Sequence, residues 1–149
     1  MTGPAEAQRT GLRFEDVEVG AALPELVVEL TPTRIVAGAI ASHDFQDVHH
    51  DTGAAKSRGL PDIFMNILTT NGYVSRFVTD WAGPDVFLRK VSIRLGVPNV
   101  AGDSMRMTGS VTSAEVVDGE GVLGVEVKGT NGKGEHVTAE VSLVLPRRS

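Results

Sequence analysis

An α+β fold, one antiparallel sheet wrapped around a single long helix, is what this sequence predicts, and three observations carry it. An apolar stripe at near-helical spacing, Phe64, Ile67, Leu68, Val74, Phe77, Val78 and Trp81, ends at Gly83-Pro84. Beyond residue 86 the apolar period changes from about 3.6 to about 2 and keeps that value through several strand-like runs. Two of the links between those runs, Asp118-Gly119 and Asn131-Gly132, are dipeptides suited to tight hairpins. A sheet with one apolar face and a helix with one apolar stripe bury each other.

Length and composition agree with one such domain. The chain has 149 residues, 41% of them hydrophobic, an ordinary share for a globular protein. It has no cysteine, which excludes disulfide staples, thiolate metal sites and cysteine nucleophiles and leaves the chemistry to His, Asp, Glu, Ser or backbone groups. With 14 basic against 19 acidic residues, the net charge of -5 argues against a broad nucleic-acid face. Residues 1–13 carry no signal-peptide pattern and read as a flexible, cytoplasmic lead-in to a domain over residues 14–146. No window approaches the ~18 consecutive apolar residues of a membrane span. The 17 glycines exceed the usual ~7% and point to many turns or to backbone approached closely by a ligand.

The elements follow in order. The apolar run 26–30 is a strand or extended segment, and Thr31-Pro32 then supplies an N-cap and a proline at the first helical position. That helix should turn Ile35, Val36, Ala39 and Ile40 inward and end near Ser42 or His43. Residues 54–59 read as a short helical turn closed by Gly59. The long helix that follows Pro61-Asp62 should run about five turns. Asn66 and Asn71 do not suit a purely apolar face, and Gly72 costs about 1 kcal/mol relative to Ala, so close backbone packing is expected there. The alternating runs include Ile93, Leu95 and Val97, then Met105, Met107 and Val111, then Leu123, Val125 and Val127, and last Val137 to Leu145. The final three should form an antiparallel meander.

The segment 43–51, HDFQDVHHD, is the most ionisable part of the chain and holds three of its four histidines, His43, His49 and His50, beside Asp44, Asp47 and Asp51. Three readings compete. A carboxylate and an imidazole such as Asp44 and His49 can converge on one water for acid/base catalysis. The His and Asp side chains could instead ligate a metal, although the His-Asp dipeptide of the helical phosphohydrolases belongs to an all-helical fold that this chain departs from after Pro84. Or the segment is a polar loop in which Asp caps turns and His stays half exposed, the reading that fits His43, Asp47 and His50 individually.

The residues Asp44, Val48, His49, Asp51, Ala55, Gly59 and Ile63 stand at the spacing of D-x-N-P-[hydrophobic]-H-x-D-x-x-x-A-x-x-x-G-x-x-x-I, so the chain resembles the MaoC-type enoyl-CoA hydratases. Gln46 and Asp47 replace the motif's Asn-Pro, and Asn66 stands where a glycine usually opens the central helix. With these same departures, and with the stretches 62–69, 78–84 and 94–98, the chain is similar from about residue 23 to 145 to the small MaoC-like subunits of actinobacterial steroid side-chain enoyl-CoA hydratases.

The resemblance implies the single hotdog fold and hydration of a 2-enoyl-CoA to a 3-hydroxyacyl-CoA. Asp44 and His49 would hold the water against C3, one taking its proton and the other helping to return a proton to C2. A backbone N–H of Asn66 or Met65 at the start of the central helix would receive the thioester oxygen, an interaction worth about 3–4 kcal/mol in the barrier. No metal and no cofactor is implied, since CoA is part of the substrate. The implied substrate is a cholesterol side-chain ester, a steroid-CoA such as a 17-ene-20-carboxyl-CoA. The implied assembly is a heterotetramer with a larger MaoC-like subunit, whose acyl-CoA-binding C-terminal domain recruits a thiolase-like aldolase. Two alternatives stand beside it: a homodimeric (R)-specific fatty enoyl-CoA hydratase, and a non-catalytic hotdog subunit that completes a partner's pocket. A hotdog thioesterase fits less well, because between residues 64 and 81 the only carboxylate is Asp80, near the far end.

Overall fold

Period-2 apolar residues require a sheet with one wet face and one covered face, and the computed structural model, which describes residues 11–149, builds that sheet from five strands. They are β1 (Leu26–Glu29), β2 (Phe87–Leu95), β3 (Ser104–Val117), β4 (Glu120–Asn131) and β5 (Gly134–Leu145), in the spatial order β1-β3-β4-β5-β2, with every pair antiparallel. The three helices are α1 (Pro32–Ala41), α2 (Thr52–Ser57) and α3 (Ile67–Ala82). Met105, Met107 and Val111 of β3, Leu123, Val125 and Val127 of β4, and alternate residues of β5 from Val137 to Leu145 are buried, and they close over Val74, Phe77, Val78 and Ala82 of α3. At Gly109 a Cβ would stand 2.9 Å from the Phe77 ring, so glycine there lets the helix settle onto the sheet.

The β3–β4 hairpin turns at Asp118-Gly119 with both residues at positive φ (50° and 80°), as that dipeptide predicts. The next hairpin departs from expectation. Asn131 pairs with Gly134, the turn is made by Gly132-Lys133, and the positive φ falls on Gly134. The cause is local hydrogen bonding: Asn131 Oδ1 accepts the Lys133 N–H at 2.9 Å, and the Gly132 N–H is taken by the Asp103 carboxylate at 3.0 Å.

The expected long helix begins later than its apolar stripe. Phe64 lies outside it, in an isolated antiparallel bridge with Val100, and Asn66 is the N-cap. Ile67 and Leu68 are half exposed, so the inward stripe is Thr70, Val74, Phe77, Val78 and Ala82. Ile40 and Leu95 also face outward rather than into the core. Gly72 faces open space instead of a close neighbour; the tight approach is at Gly38 of α1, where any Cβ would collide with the Thr69 hydroxyl of α3.

One short stretch, residues 99–103, fastens both ends of the excursion between β1 and α3. Leu30 N–H donates to Asp103 O and Gly102 N–H to Leu30 O, each at 2.9 Å. At the other end Ala101 N–H donates to Ile63 O at 3.0 Å and Met65 N–H to Asn99 O at 2.9 Å. Of the expected lead-in, residues 1–10 lie outside the described residues, while Leu12 N–H donates to Ala82 O and Phe14 N–H to Pro146 O, each at 2.9 Å. Among the described residues no helix is long and apolar enough to cross a membrane.

Candidate active site

Thr31 Oγ1 accepts the Arg34 N–H and starts α1 as its sequence predicts, and the helix ends at Ser42, whose hydroxyl donates to Gly38 O at 2.7 Å. His43 then takes a left-handed conformation (φ 56°) that turns the chain, and Asp44 is pinned by its own N–H donating to Ala39 O at 2.9 Å. After extended Gln46, a single 3-10 turn over Asp47–His49 carries the His49 ring inward.

His49 is buried with its ring edge-on to Phe64, centroids 4.7 Å apart. Its Nδ1 lies 2.7 Å from Phe64 O. A carbonyl only accepts, so Nδ1 carries a hydrogen and the ring is fixed with Nε2 turned toward Asp44. Nε2 stands 3.3 Å from Asp44 Oδ2; the histidine side chain is 6% exposed and the aspartate 22%. The pair therefore opens to the outside through its carboxylate.

The start of α3 closes the site. Asn66 Oδ1 accepts the Thr69 N–H at 3.3 Å and the Thr69 hydroxyl, capping the helix. Asn66 Nδ2 donates to Ser42 Oγ at 2.8 Å and to Asp44 Oδ2 at 3.1 Å. Of the two backbone donors singled out in the sequence, the Met65 N–H is engaged by Asn99 O, whereas the Asn66 N–H makes no hydrogen bond to any described residue. It is an orphan donor at the positive end of a 16-residue helix. Beside it, between α1 and α3, lies an open groove of about 420 Å³ lined by residues including Gly38, Ser42, Leu68, Thr69, Tyr73 and Arg76.

The rest of the ionisable cluster points to other tasks. Asp51 Oδ1 accepts the Ala54 N–H at 3.0 Å and caps α2; Asp47 pairs with Arg58 at 3.0 Å on the surface; His43 stacks on Phe45; His50 is exposed. Among the described residues no group of three or more His, Asp or Glu side chains is placed to hold a metal. The fourth histidine of the sequence lies outside this cluster. His136 of β5 is 3% exposed, with Nδ1 2.6 Å from Val97 O and Nε2 2.9 Å from the Thr70 hydroxyl. Burial pushes its imidazole below the ordinary value, opposed in part by the Val97 carbonyl. Its clue in the sequence is only that it borders the buried face of β5.

No protein-family model matches the chain. Over 127 residues it is 50% identical to the 3-oxo-4,17-pregnadiene-20-carboxyl-CoA hydratase beta subunit of Mycobacterium tuberculosis, covering 85% of this chain and 95% of that protein. A solved structure of the ChsH1-ChsH2 complex from the same organism contains a chain 50% identical to this one. It superposes with a TM-score of 0.81, and the match covers 87% of this chain and 98% of that one. The (R)-hydratase from A. caviae involved in PHA biosynthesis is 19% identical, with a TM-score of 0.80 and coverage of 89% and 99%, and it shows the shared hotdog fold.

Proposed function

Because the chain belongs to the MaoC-like hotdog hydratases, among the small subunits of steroid side-chain enoyl-CoA hydratases, we propose that it is a hydro-lyase acting on a steroid side-chain enoyl-CoA. The substrate of this reading is a 17-ene-20-carboxyl-CoA, hydrated to the 3-hydroxyacyl-CoA by a hetero-oligomer in which this chain is one subunit. The observation that carries the reading is the Asp44–His49 pair, 3.3 Å apart, beside the orphan N–H at the start of α3.

The mechanism follows from what each group can do. In a 17-ene-20-carboxyl-CoA the double bond is conjugated with the thioester, so the ring carbon at position 17 is electrophilic. The thioester oxygen accepts the Asn66 N–H, and the positive end of α3 stabilises the enolate that forms when water adds. A water held beside Asp44 and His49 bonds through its oxygen to the β-carbon and gives one proton to the pair. The pair returns a proton to the α-carbon, and the enolate collapses to the hydroxyacyl thioester. Neither oxidant nor reductant enters, and on this reading the reaction uses no cofactor beyond the CoA already in its substrate.

The chain supplies the catalytic pair, and the second hotdog of a larger subunit completes a channel wide enough for a ring system. That subunit's acyl-CoA-binding C-terminal domain would hand the product to a thiolase-like aldolase, and we place the assembly in the cytoplasm. The test is turnover of 3-oxo-4,17-pregnadiene-20-carboxyl-CoA and of crotonyl-CoA by the full chain, alone and co-expressed with the larger subunit. The expected result is hydration of the steroid ester by the co-expressed pair at a rate far above that on crotonyl-CoA. Equal rates on crotonyl-CoA by the chain alone would replace this reading with a homodimeric fatty enoyl-CoA hydratase.

A further inference from the structure

We infer that the Asn66 side chain is a positioning residue of the Asp44–His49 pair: its amide holds Asp44 as the carboxylate and places the proton shared by the pair on His49 Nε2. This rests on the catalytic reading above and deepens it.

The argument begins with which end of the amide is which. The Thr69 backbone N–H only donates, so the Asn66 atom facing it at 3.3 Å is the oxygen. The nitrogen end is therefore the one aimed at Ser42 and Asp44. Ser42 confirms the direction, because its single hydroxyl hydrogen is given to Gly38 O at 2.7 Å and its oxygen is left to accept. Asn66 is 1% exposed, so no water competes for these bonds. An amide N–H aimed at Asp44 Oδ2 requires an acceptor there, and a carboxylate is the better acceptor. The other oxygen of Asp44, Oδ1, receives the Gln46 N–H at 3.4 Å.

Oδ2 also faces His49 Nε2, whose ring has its hydrogen committed at Nδ1 to Phe64 O. Two bare lone pairs 3.3 Å apart repel, so one proton belongs between them. With the Asn66 donor on Oδ2 that proton sits on Nε2, leaving Asp44 free to act as the base. The charged groups of the surrounding elements do not compete: Asp47 pairs with Arg58, Asp51 caps α2, and Asp62 is held by the Thr52 hydroxyl and the Ile63 N–H. His43 and His50 form no ion pair with either member. A glycine at position 66 would keep the backbone N–H of the helix start and lose this control of the proton.

The test uses Asn66→Gly and Ser42→Ala in the full chain assembled with its larger subunit. Asn66→Gly keeps the backbone donor and a tolerated cap. The expected result is a kcat lower by about tenfold with KM nearly unchanged, and the acid-side midpoint of the pH–rate profile moved up by about one pH unit. Ser42→Ala should move both in the same direction by a smaller factor. In 15N spectra of the chain assembled with its larger subunit, the His49 Nε2 signal should differ between the parent and Asn66→Gly, reporting a change in the proton shared with Asp44. An unmoved pH profile and unmoved His49 signals in both variants, while Asp44→Asn abolishes turnover, would overturn the inference alone. Normal turnover by Asp44→Asn and His49→Ala would overturn the catalytic reading, and the nitrogen spectra would still report where the proton lies.

Discussion

His49 and His136 are built alike and differ at one atom. Both are buried, and both give the Nδ1 hydrogen to a backbone carbonyl, Phe64 O at 2.7 Å and Val97 O at 2.6 Å. The Nε2 of His49 faces the partly exposed carboxylate of Asp44, whereas the Nε2 of His136 faces the fully buried hydroxyl of Thr70. Fixing Nδ1 therefore makes neither ring functional. What separates them is the partner on the second nitrogen and whether that partner reaches the outside: one ring can exchange a proton with a ligand, and the other seals a polar joint between α3 and β5.

Three experiments press on that difference. Removing the ionisable partner at the first ring should have the largest effect: Asp44→Asn lowers kcat by about 10²–10⁴-fold while thermal unfolding stays near that of the parent. Similar kcat losses from Thr70→Val would erase the distinction. At the second ring the loss should be one of stability. His136→Leu leaves Val97 O and the Thr70 hydroxyl unpaired in the core and should cost on the order of 2 kcal/mol in urea unfolding, with kcat unchanged.

The smallest effect is a dependence on pH. The His136 imidazole is held below its ordinary value, so below about pH 6.5 the unfolded chain binds a proton that the folded chain refuses. Its stabilising effect is complete above that pH and is lost as pH falls toward the folded value. Stability in urea unfolding should therefore fall between pH 7 and pH 6, and that fall should vanish in His136→Leu.

Much of this was legible in the sequence because periodicity is a one-dimensional property. The change of period near residue 86 marks the end of α3 and the meander, and the spacing of Asp44 and His49 marks the pair that the structure brings together. The misreadings come from what periodicity does not carry: caps, contacts remote in the chain, and the side of the molecule an apolar residue faces. Asn66 looked like a flaw in an apolar stripe but is the cap that sets where the helix starts, with Phe64 drawn away to Val100. Ile40, Ile67, Leu68 and Leu95 are apolar yet outward, and periodicity does not tell a chain's own core from another apolar surface. The hairpin after β4 slipped by one position because Asp103 takes the Gly132 N–H. Asn66 lies 22 residues from Asp44, and His136 lies 66 from Thr70. No local pattern announces either meeting.

Residues 99–103, which hold Leu30 at one end and Ile63 and Met65 at the other, make the whole excursion that carries Asp44 and His49 a loop with its ends buckled at one place. Fewer backbone bonds tie this loop to the rest of the fold than join β3, β4 and β5 along their long ladders, although Ile35, Ala55 and Ile63 also anchor it in the core. Amide hydrogens over residues 44–59 should then exchange with solvent together and ahead of those in β3–β5, and a protease should find this stretch before it finds the core. The buckle at residues 99–103 thus makes the stretch that carries Asp44 and His49 the one expected to loosen before the sheet does.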